Sequence, residues 1–386
     1  MRDATLVTTQ AQLDTAVFRL ESAARLAIDT EFMRERTYYP QLCLVQVATD
    51  SDCFLVDPLA ALDLDGLHAL LADRSKLKIL HAARQDLEVL QLGGRAVPVP
   101  VFDTQIAAAM LGFPPQVGYA ELVARQLGHS IDKAQTRTDW SRRPLTPAQL
   151  AYAADDVHHL LQLHTDLAAA LAAKGRAQWL AEDANALEDR ALYQTEPADA
   201  WRRLKGLGRL TPREQGAARA IAEWRERRAI ESDKPRGWIL TDEVIYALAT
   251  TAPRSIADLE PIRSLPPAVV RKRGEELLEL MRVAVESTDM ANVQNATQRA
   301  TPEENALVAR LQQIVRSEAA ALEVSPEVIA TRRDFEALVF KDRGEPAVLR
   351  GWRRGVVGEK LLSELGDSPP QGTVPNQPPA ARRNSA

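Results

Sequence analysis

Five side chains in the first half of the chain have the types and spacings of a divalent-metal site. Asp29 and Glu31 lie two apart in the apolar run Leu26-Ala-Ile-Asp-Thr-Glu-Phe32, and on a strand, side chains two apart leave the same face. Carboxylates inside an apolar strand are costly to bury unless something neutralises them, and a hard divalent cation with oxygen ligands does so. Asp86 follows a short apolar run that ends near His81 and stands at the start of a helix, close to strand ends. Tyr152 and Asp156 are four apart in a strongly helical stretch, so both project from one face, one turn apart. Asp155 is nearly as well placed, and spacing alone does not choose between the two. Each feature also has an ordinary reading: a wet sheet edge for the Asp-x-Glu, a helix-dipole partner for Asp86, a surface pair for Tyr152 and Asp156. Their conjunction in one chain favours the chemical reading.

The segments around them read as a scaffold able to bring them together. Leu26–Phe32, Leu42–Ala48 and Cys53–Val56 form a β-meander, interrupted around Pro40 and at Thr49–Asp52 by turn residues. Leu64–Leu71 has helical spacing. Leu77–Leu80 is a short strand running into a helix over Arg84–Leu92 that Gly93 and Gly94 end. Strands first and alternation later indicate a mixed α/β sheet. Beyond Val101 the pattern is helical, with Thr104–Leu111, Tyr119–Leu127 and one long stretch from Thr146 to Ala173, which opens on a Thr-Pro start signal. Two helical blocks follow. The first begins at Thr211-Pro-Arg-Glu214, a capping-box pattern, and the second spans roughly Pro302 to Leu365. Their similar lengths and layouts point to a degenerate repeat.

At 386 residues the chain exceeds one compact core, so two or three domains are expected. A composition of 45% hydrophobic and 26% charged residues suits packed domains and excludes wholesale disorder. No apolar run approaches the roughly 20 residues that cross a bilayer. Met1–Gln10 lacks the basic start and apolar middle of a secretory signal, so the cytoplasm is the default location and no membrane partner is expected. Cys43 and Cys53 have no CxxC context and read as small buried residues. A net charge of −5 weighs against a nucleic-acid partner. Carboxylates gathered around cations, however, are neutralised in the working protein. The clusters Arg202-Arg203-Lys205, Arg225-Arg227-Arg228, Arg271-Lys272-Arg273 and Arg350-Arg353-Arg354 are either phosphate contacts or solvated helix faces. Trp224 and Trp238 either stack on bases or fill cores.

Further motifs accompany the acidic residues: Pro40-Gln-Leu-Cys-Leu-Val-Gln-Val47, His81-Ala-Ala-Arg-Gln-Asp-Leu87, Val101-Phe-Asp-Thr104, Asp139-Trp-Ser-Arg-Arg-Pro-Leu145 and Tyr152-Ala-Ala-Asp-Asp-Val157. With these the chain resembles the DEDD exonuclease superfamily in its tyrosine-bearing branch, and within that branch the ribonuclease D family. The resemblance covers most of the chain. It implies an α/β ribonuclease-H-like exonuclease domain, a mixed sheet flanked by helices, followed by two all-α helical domains of the HRDC type (helicase and RNase D C-terminal). The expected boundaries are 1–192 for the exonuclease, 193–210 for a linker, 211–290 and 300–366 for the helical domains, and 367–386 for a proline-rich disordered tail.

The resemblance also assigns the last metal position to Asp156 rather than Asp155. It implies two divalent ions, Mg²⁺ or Mn²⁺, with Asp29 bridging them, Glu31 and Asp156 completing the nucleophile-side site and Asp86 supporting the other. Tyr152 is expected to orient the attacking water, since a phenol with a pKa near 10 is a poor base at neutral pH. The implied activity is 3′-to-5′ removal of nucleoside 5′-monophosphates from RNA with a free 3′ end, such as tRNA precursors and other small structured RNAs, by a monomeric enzyme. Candidate substrate contacts are Phe32 beside the acidic pair, His81 as a hydrogen-bonded histidine rather than a metal ligand, and Arg142 and Arg143 ahead of the Tyr152 helix, which either touch the substrate or cap surface carboxylates. Two competing readings are a DNA 3′–5′ exonuclease with the same carboxylates, because nothing in the tetrad reads a 2′-hydroxyl, and a catalytically silent RNA-binding adaptor.

Overall fold

The apolar runs of the first hundred residues assemble into one six-stranded sheet of order β1-β4-β3-β2-β5-β6. The strands are β1 (Thr5–Val7), β2 (Arg25–Met33), β3 (Gln41–Ala48), β4 (Cys53–Val56), β5 (Leu77–Leu80) and β6 (Val101–Asp103). The structure, a computed structural model, describes residues 4–131, 135, 138–286, 301–340 and 346–366. The expected tail at 367–386 and most of the segment between the helical blocks lie outside the described residues.

β2, β3 and β4 pair antiparallel as the meander requires, whereas β1 joins β4, and β5 and β6 extend from β2, in parallel. β1 and β6 went unread in the sequence because three residues show no alternation. Along β2 the pattern of period two decides the function of each face. Leu26 and Ile28 enter the core shared with Leu13, Leu20, Leu67, Leu71 and Leu87, so Asp29 and Glu31 must face the other way. That first core is covered by α1 (Gln10–Leu20), α2 (Asp65–Ala72) and α3 (Arg84–Leu90). The flanking helices α4 (Thr104–Met110), α5 (Tyr119–Leu127), α6 (Pro147–His158), α7 (Leu160–Ala173) and α8 (Ala177–Ala186) complete the layer arrangement, with α6 lying on β2, β3 and β4 and α7 on β2 and β5. The stretch from Thr146 to Ala173, expected as one helix, is therefore two, divided at His159.

The segment expected as a linker, 193–210, is mostly folded. Its 3₁₀ turns Pro197–Arg203 and Leu207–Arg209 insert Ala200, Leu204 and Leu207 into the core of the first helical domain. Three spaced apolar residues in a polar-looking stretch sufficed to dock it. That domain comprises α9 (Pro212–Glu231), α10 (Arg236–Ile239), α11 (Asp242–Thr251), α12 (Ile256–Leu259) and α13 (Pro267–Glu286). Thr211 and Glu214 form the capping box read from sequence. Trp224 lies in the core and donates to Glu276, while Trp238 is exposed. The segment after β2 is tied to α9 and the turn after it: the Tyr38 and Tyr39 amides both donate to Asp233 at 3.0 Å, and the Tyr38 hydroxyl donates to Glu226.

The described residues of 302–366, taken by themselves, have helices as their regular elements and bury Leu311, Val315, Ile329, Val348, Trp352 and Leu361. Helices of 20, 4 and 9 residues (Pro302–Ala321, Pro326–Ile329, Arg332–Phe340) repeat the order of 20, 4 and 10 in α9 to α11.

Candidate metal centre

Three of the four sequence-predicted carboxylates converge in the structure, and the fourth, Asp86, lies near enough for its charge to act on Asp29 and Glu31. β2 presents Asp29 and Glu31 toward α6, whose inner face returns Tyr152 and Asp156. One carboxylate oxygen each from Asp29, Glu31 and Asp156 lies within 4.8 Å of the others. Asp86, in the first turn of α3 and 7% exposed, accepts the Thr30 hydroxyl at 2.5 Å. Asp29, Glu31, Tyr152 and Asp156 line a cavity of about 220 Å³ together with Thr30, His81 and Tyr119.

This cluster is electrostatically incomplete. Burial, reinforced by the charges of Asp86, Asp156 and Glu31, raises the Asp29 carboxyl well above the usual range. Burial and then repulsion from Asp156 and Asp86 push Glu31 up to about 9. Burial pushes Asp86 up to about 7 although the Thr30 hydroxyl opposes it, and burial does the same to Asp156 although the Tyr152 hydroxyl, hydrogen-bonded to it, opposes that. Among the described residues no arginine or lysine forms an ion pair with any of the four. An all-oxygen, all-acidic donor set without a protein counter-charge fits hard divalent cations such as Mg²⁺ or Mn²⁺.

Several residues that sequence reasoning did not assign hold the ligands in place. Asp103 accepts the Ala82 and Ala83 amides at 3.1 and 2.8 Å and caps α4 through Gln105 at 2.8 Å. It thus clamps the tight turn, with Ala82 at φ 56°, that delivers Asp86 from β5 into α3. Its Val-Phe-Asp-Thr motif was visible, but its role was not. Thr30 lies between the two acids in sequence but on the opposite face, which made it look like core. Tyr119 has no local signal at all. Its hydroxyl donates to Asp155 O at 3.0 Å and receives the His159 amide at 3.3 Å. Burial, along with the nearby Asp156 and Asp29, raises its pKa well above the ordinary phenol value.

The expected substrate contacts divide. Arg143 is committed elsewhere, because Nε and Nη2 grip Asp57 at 2.6 Å, Nη2 also donates to Cys43 O, and Nη1 donates to Trp140 O and Arg142 O. A guanidinium has five N–H donors, and all five are engaged inside the fold, an arrangement that matches the carboxylate-capping alternative for Arg143 and anchors the Asp139–Leu145 loop. His81 lines the cavity, yet Nε2 donates to Val117 O and Nδ1 meets Thr104 Oγ1, both at 2.9 Å; burial lowers its pKa. Phe32 sits half-buried against the sheet core just after a β-bulge, with the Arg34 guanidinium over its ring. Arg142 pairs with Asp139 and remains strongly exposed.

Comparison with known proteins follows the same division of the chain. A family model described as 3′-5′ exonuclease matches residues 4–172, and one for the HRDC domain matches residues 214–281. Ribonuclease D of Acidiphilium cryptum is 41% identical over 361 residues, covering 92% of each chain. Ribonuclease D of Gluconacetobacter diazotrophicus is 40% identical over 94% of this chain and 92% of that one. The crystal structure of Escherichia coli RNase D, described as an exoribonuclease involved in structured RNA processing, superposes with a TM-score of 0.84 at 30% identity, over 95% of this chain and all of that one. The superfamily depends on divalent metal, and no helix among the described residues is long and apolar enough to cross a membrane. With an acidic cluster on a central strand, an HRDC domain behind it and relatives aligned nearly end to end, the chain belongs to the ribonuclease D family of 3′–5′ exoribonucleases.

Proposed function

We propose that Asp29, Glu31, Asp86 and Asp156 hold two divalent ions, Mg²⁺ or Mn²⁺, and that with Tyr152 they trim the 3′ ends of structured RNAs such as tRNA precursors, releasing one nucleoside 5′-monophosphate at a time. The convergence of Asp29, Glu31 and Asp156 within 4.8 Å, with no cation among the described residues paired to them, carries this reading. Bound divalent ions supply positive charge against the phosphate oxygens and leaving 3′ oxygen and lower the pKa of the attacking water. The residues do the positioning. Asp29, Glu31 and Asp156, whose oxygens converge, would hold one ion, and Asp86, fixed by the Thr30 hydroxyl, would help to hold the other. The Tyr152 hydroxyl, which donates to Asp156, keeps its oxygen lone pairs available to accept from water and so aims it at phosphorus.

RNA needs a cationic approach. A cleft of about 920 Å³ between the segment after β2 and the first helical domain is lined by Arg34, Arg190, Arg203 and Arg236, with Glu88 and Glu196 among its other walls. Sequence-independent phosphate contacts there suit a strand threaded 3′ end first. The nuclease is taken as residues 1–192. The second helical unit is read as a further HRDC-type domain on the strength of its repeated helix order, and the working enzyme as a monomer. The test is incubation of 3′-extended tRNA with Mg²⁺ or Mn²⁺, with products resolved nucleotide by nucleotide, for wild type and Asp156→Asn, beside a matched DNA strand and a 3′-blocked RNA. Stepwise shortening that needs Asp156, an open 3′ end and ribose is expected. Equal degradation of the blocked strand would falsify the reading.

A further inference from the structure

We propose that Tyr119 is a positioning residue, whose hydroxyl is spliced into the backbone ladder beside Asp156 and sets the direction in which that carboxylate meets the metal ligands of β2. The inference rests on the proposed metal site.

In an uninterrupted helix the His159 amide would donate to the Asp155 carbonyl, four residues back. Here neither group is paired that way. Asp155 O accepts the Tyr119 hydroxyl at 3.0 Å, and the same hydroxyl oxygen accepts the His159 amide at 3.3 Å, an amide that otherwise faces only Val157 O. One phenolic oxygen thus replaces one ladder bond, and insertion of a side chain into the ladder is a recognised cause of helix kinks. Nothing in the local sequence accounts for the break: from Gln149 to Ala173 there is neither proline nor glycine. His159, at φ −96° and ψ −6°, caps α6 and opens α7 at the edge of the right-handed helical region.

The break lies three residues past Asp156 and divides two helices with different packing demands. α6 must lay Tyr152 and Asp156 against β2, whereas α7 must pack on β5 and α4. Tyr119 is itself held rigidly, because its ring lies 5.6 Å from that of His81, whose two nitrogens are fixed by Thr104 and Val117. The line of support therefore runs from the end of β5 through His81 and Tyr119 to the last turn of α6. Since burial beside acidic groups keeps the phenol protonated, it remains the donor that Asp155 O requires.

Tyr119→Phe keeps the ring and removes only the oxygen. The Asp155–His159 bond then closes directly, α6 straightens, and Asp156 turns away. Calorimetric titration of the full chain with Mn²⁺ alone is expected to show affinity lowered about tenfold, the scale of outer-shell supports of metal ligands. In RNA cleavage kcat should fall at low Mn²⁺ and recover in excess Mn²⁺, with KM for RNA unchanged. The double variant Tyr119→Phe/His159→Pro, in which position 159 has no amide to close the ladder, should regain Mn²⁺ affinity. Unchanged Mn²⁺ affinity in Tyr119→Phe overturns the inference, and so does a Tyr119→Phe defect that the added proline leaves untouched. If Asp156→Asn binds Mn²⁺ as wild type does, the metal-site reading itself fails; if it loses Mn²⁺ while Tyr119→Phe does not, only the role of Tyr119 fails.

Discussion

Glu226, fully buried in α9, accepts two hydrogen bonds from Arg236 at 2.5 and 2.6 Å and one from the Tyr38 hydroxyl at 2.5 Å, whereas Glu31 in β2 faces three other acids. Burial would raise both carboxyls. At Glu226 the bonds and charge of Arg236 and Tyr38 prevail and hold the pKa below its ordinary value, while at Glu31 repulsion adds to burial and pushes it up to about 9. The same chain therefore has an arginine solution for a buried acid and, among the described residues, none at the sheet. A guanidinium there would occupy the oxygens that a metal ion needs and block the approach of phosphate. An internal ion pair closes a site; an unanswered cluster keeps it open to an outside cation.

The largest effect should come from removing one unanswered charge. Asp29→Asn is expected to lower kcat on RNA on the order of 10³-fold, since several kcal/mol of transition-state charge stabilisation depend on an intact cluster. The same change should raise the melting temperature of the metal-free protein, because it relieves repulsion rather than breaking a bond. An Asp29→Asn enzyme that melts lower without metal would undo the contrast with Glu226.

At the other pole, Arg236→Met leaves Glu226 buried with the Tyr38 hydroxyl but without its cation. A loss of about 3 kcal/mol in urea unfolding is expected, the lower end for breaking a buried pair because Arg236 is itself partly exposed. The variant should also loosen the segment after β2, through Tyr38, and raise KM more than it lowers kcat. A loss below about 1 kcal/mol, the worth of a surface pair, would mean that Glu226 is answered by something other than Arg236.

The two poles should also differ in sign with pH. The sheet carboxylates have folded pKa values raised from about 4 to about 7 at Asp86 and Asp156 and about 9 at Glu31. Between those limits the folded state holds more protons than the unfolded one, so metal-free stability falls as pH climbs from about 4 toward 9. Glu226, with a lowered pKa, contributes stability that is present above its unfolded value and is lost as pH falls through its folded value. Mn²⁺ should therefore raise the melting temperature more at pH 8 than at pH 6 in wild type. An equal rise at both would show that the acids are not the ligands.

Much of this was legible in the residues. The Asp-x-Glu, the Asp after a short strand and the Tyr-x₃-Asp each sit where periodicity placed them, because each depends only on local spacing. The supports were not, because they act across long sequence separations. Asp103 clamps amides about twenty residues away, and Tyr119 repairs a ladder some forty residues on. Lys78 shows the same limit: this strand lysine is wholly buried, its ammonium held by the carbonyls of Asp73, Lys76 and Val99, and burial lowers its pKa to about 8. For Arg143 the sequence left open a phosphate contact or a carboxylate cap, because the partner that engages it, Asp57, lies 86 residues away.

The smallest expected effect tests how a ligand is held without a counter-charge. Thr30→Val keeps shape and deletes the hydroxyl that donates to Asp86 at 2.5 Å. A single such bond contributes about 1 kcal/mol net, or roughly a fivefold change in an equilibrium constant. Asp86 should then ionise less readily, and the Mn²⁺ concentration for half-maximal cleavage should rise by about that factor, with kcat at saturating Mn²⁺ retained. The effect should be additive with Tyr119→Phe, because the two hydroxyls support different ligands from opposite sides of β2. Strong non-additivity would mean that Asp86 and Asp156 move as one unit, and that the cluster is organised by a shared element rather than by separate supports.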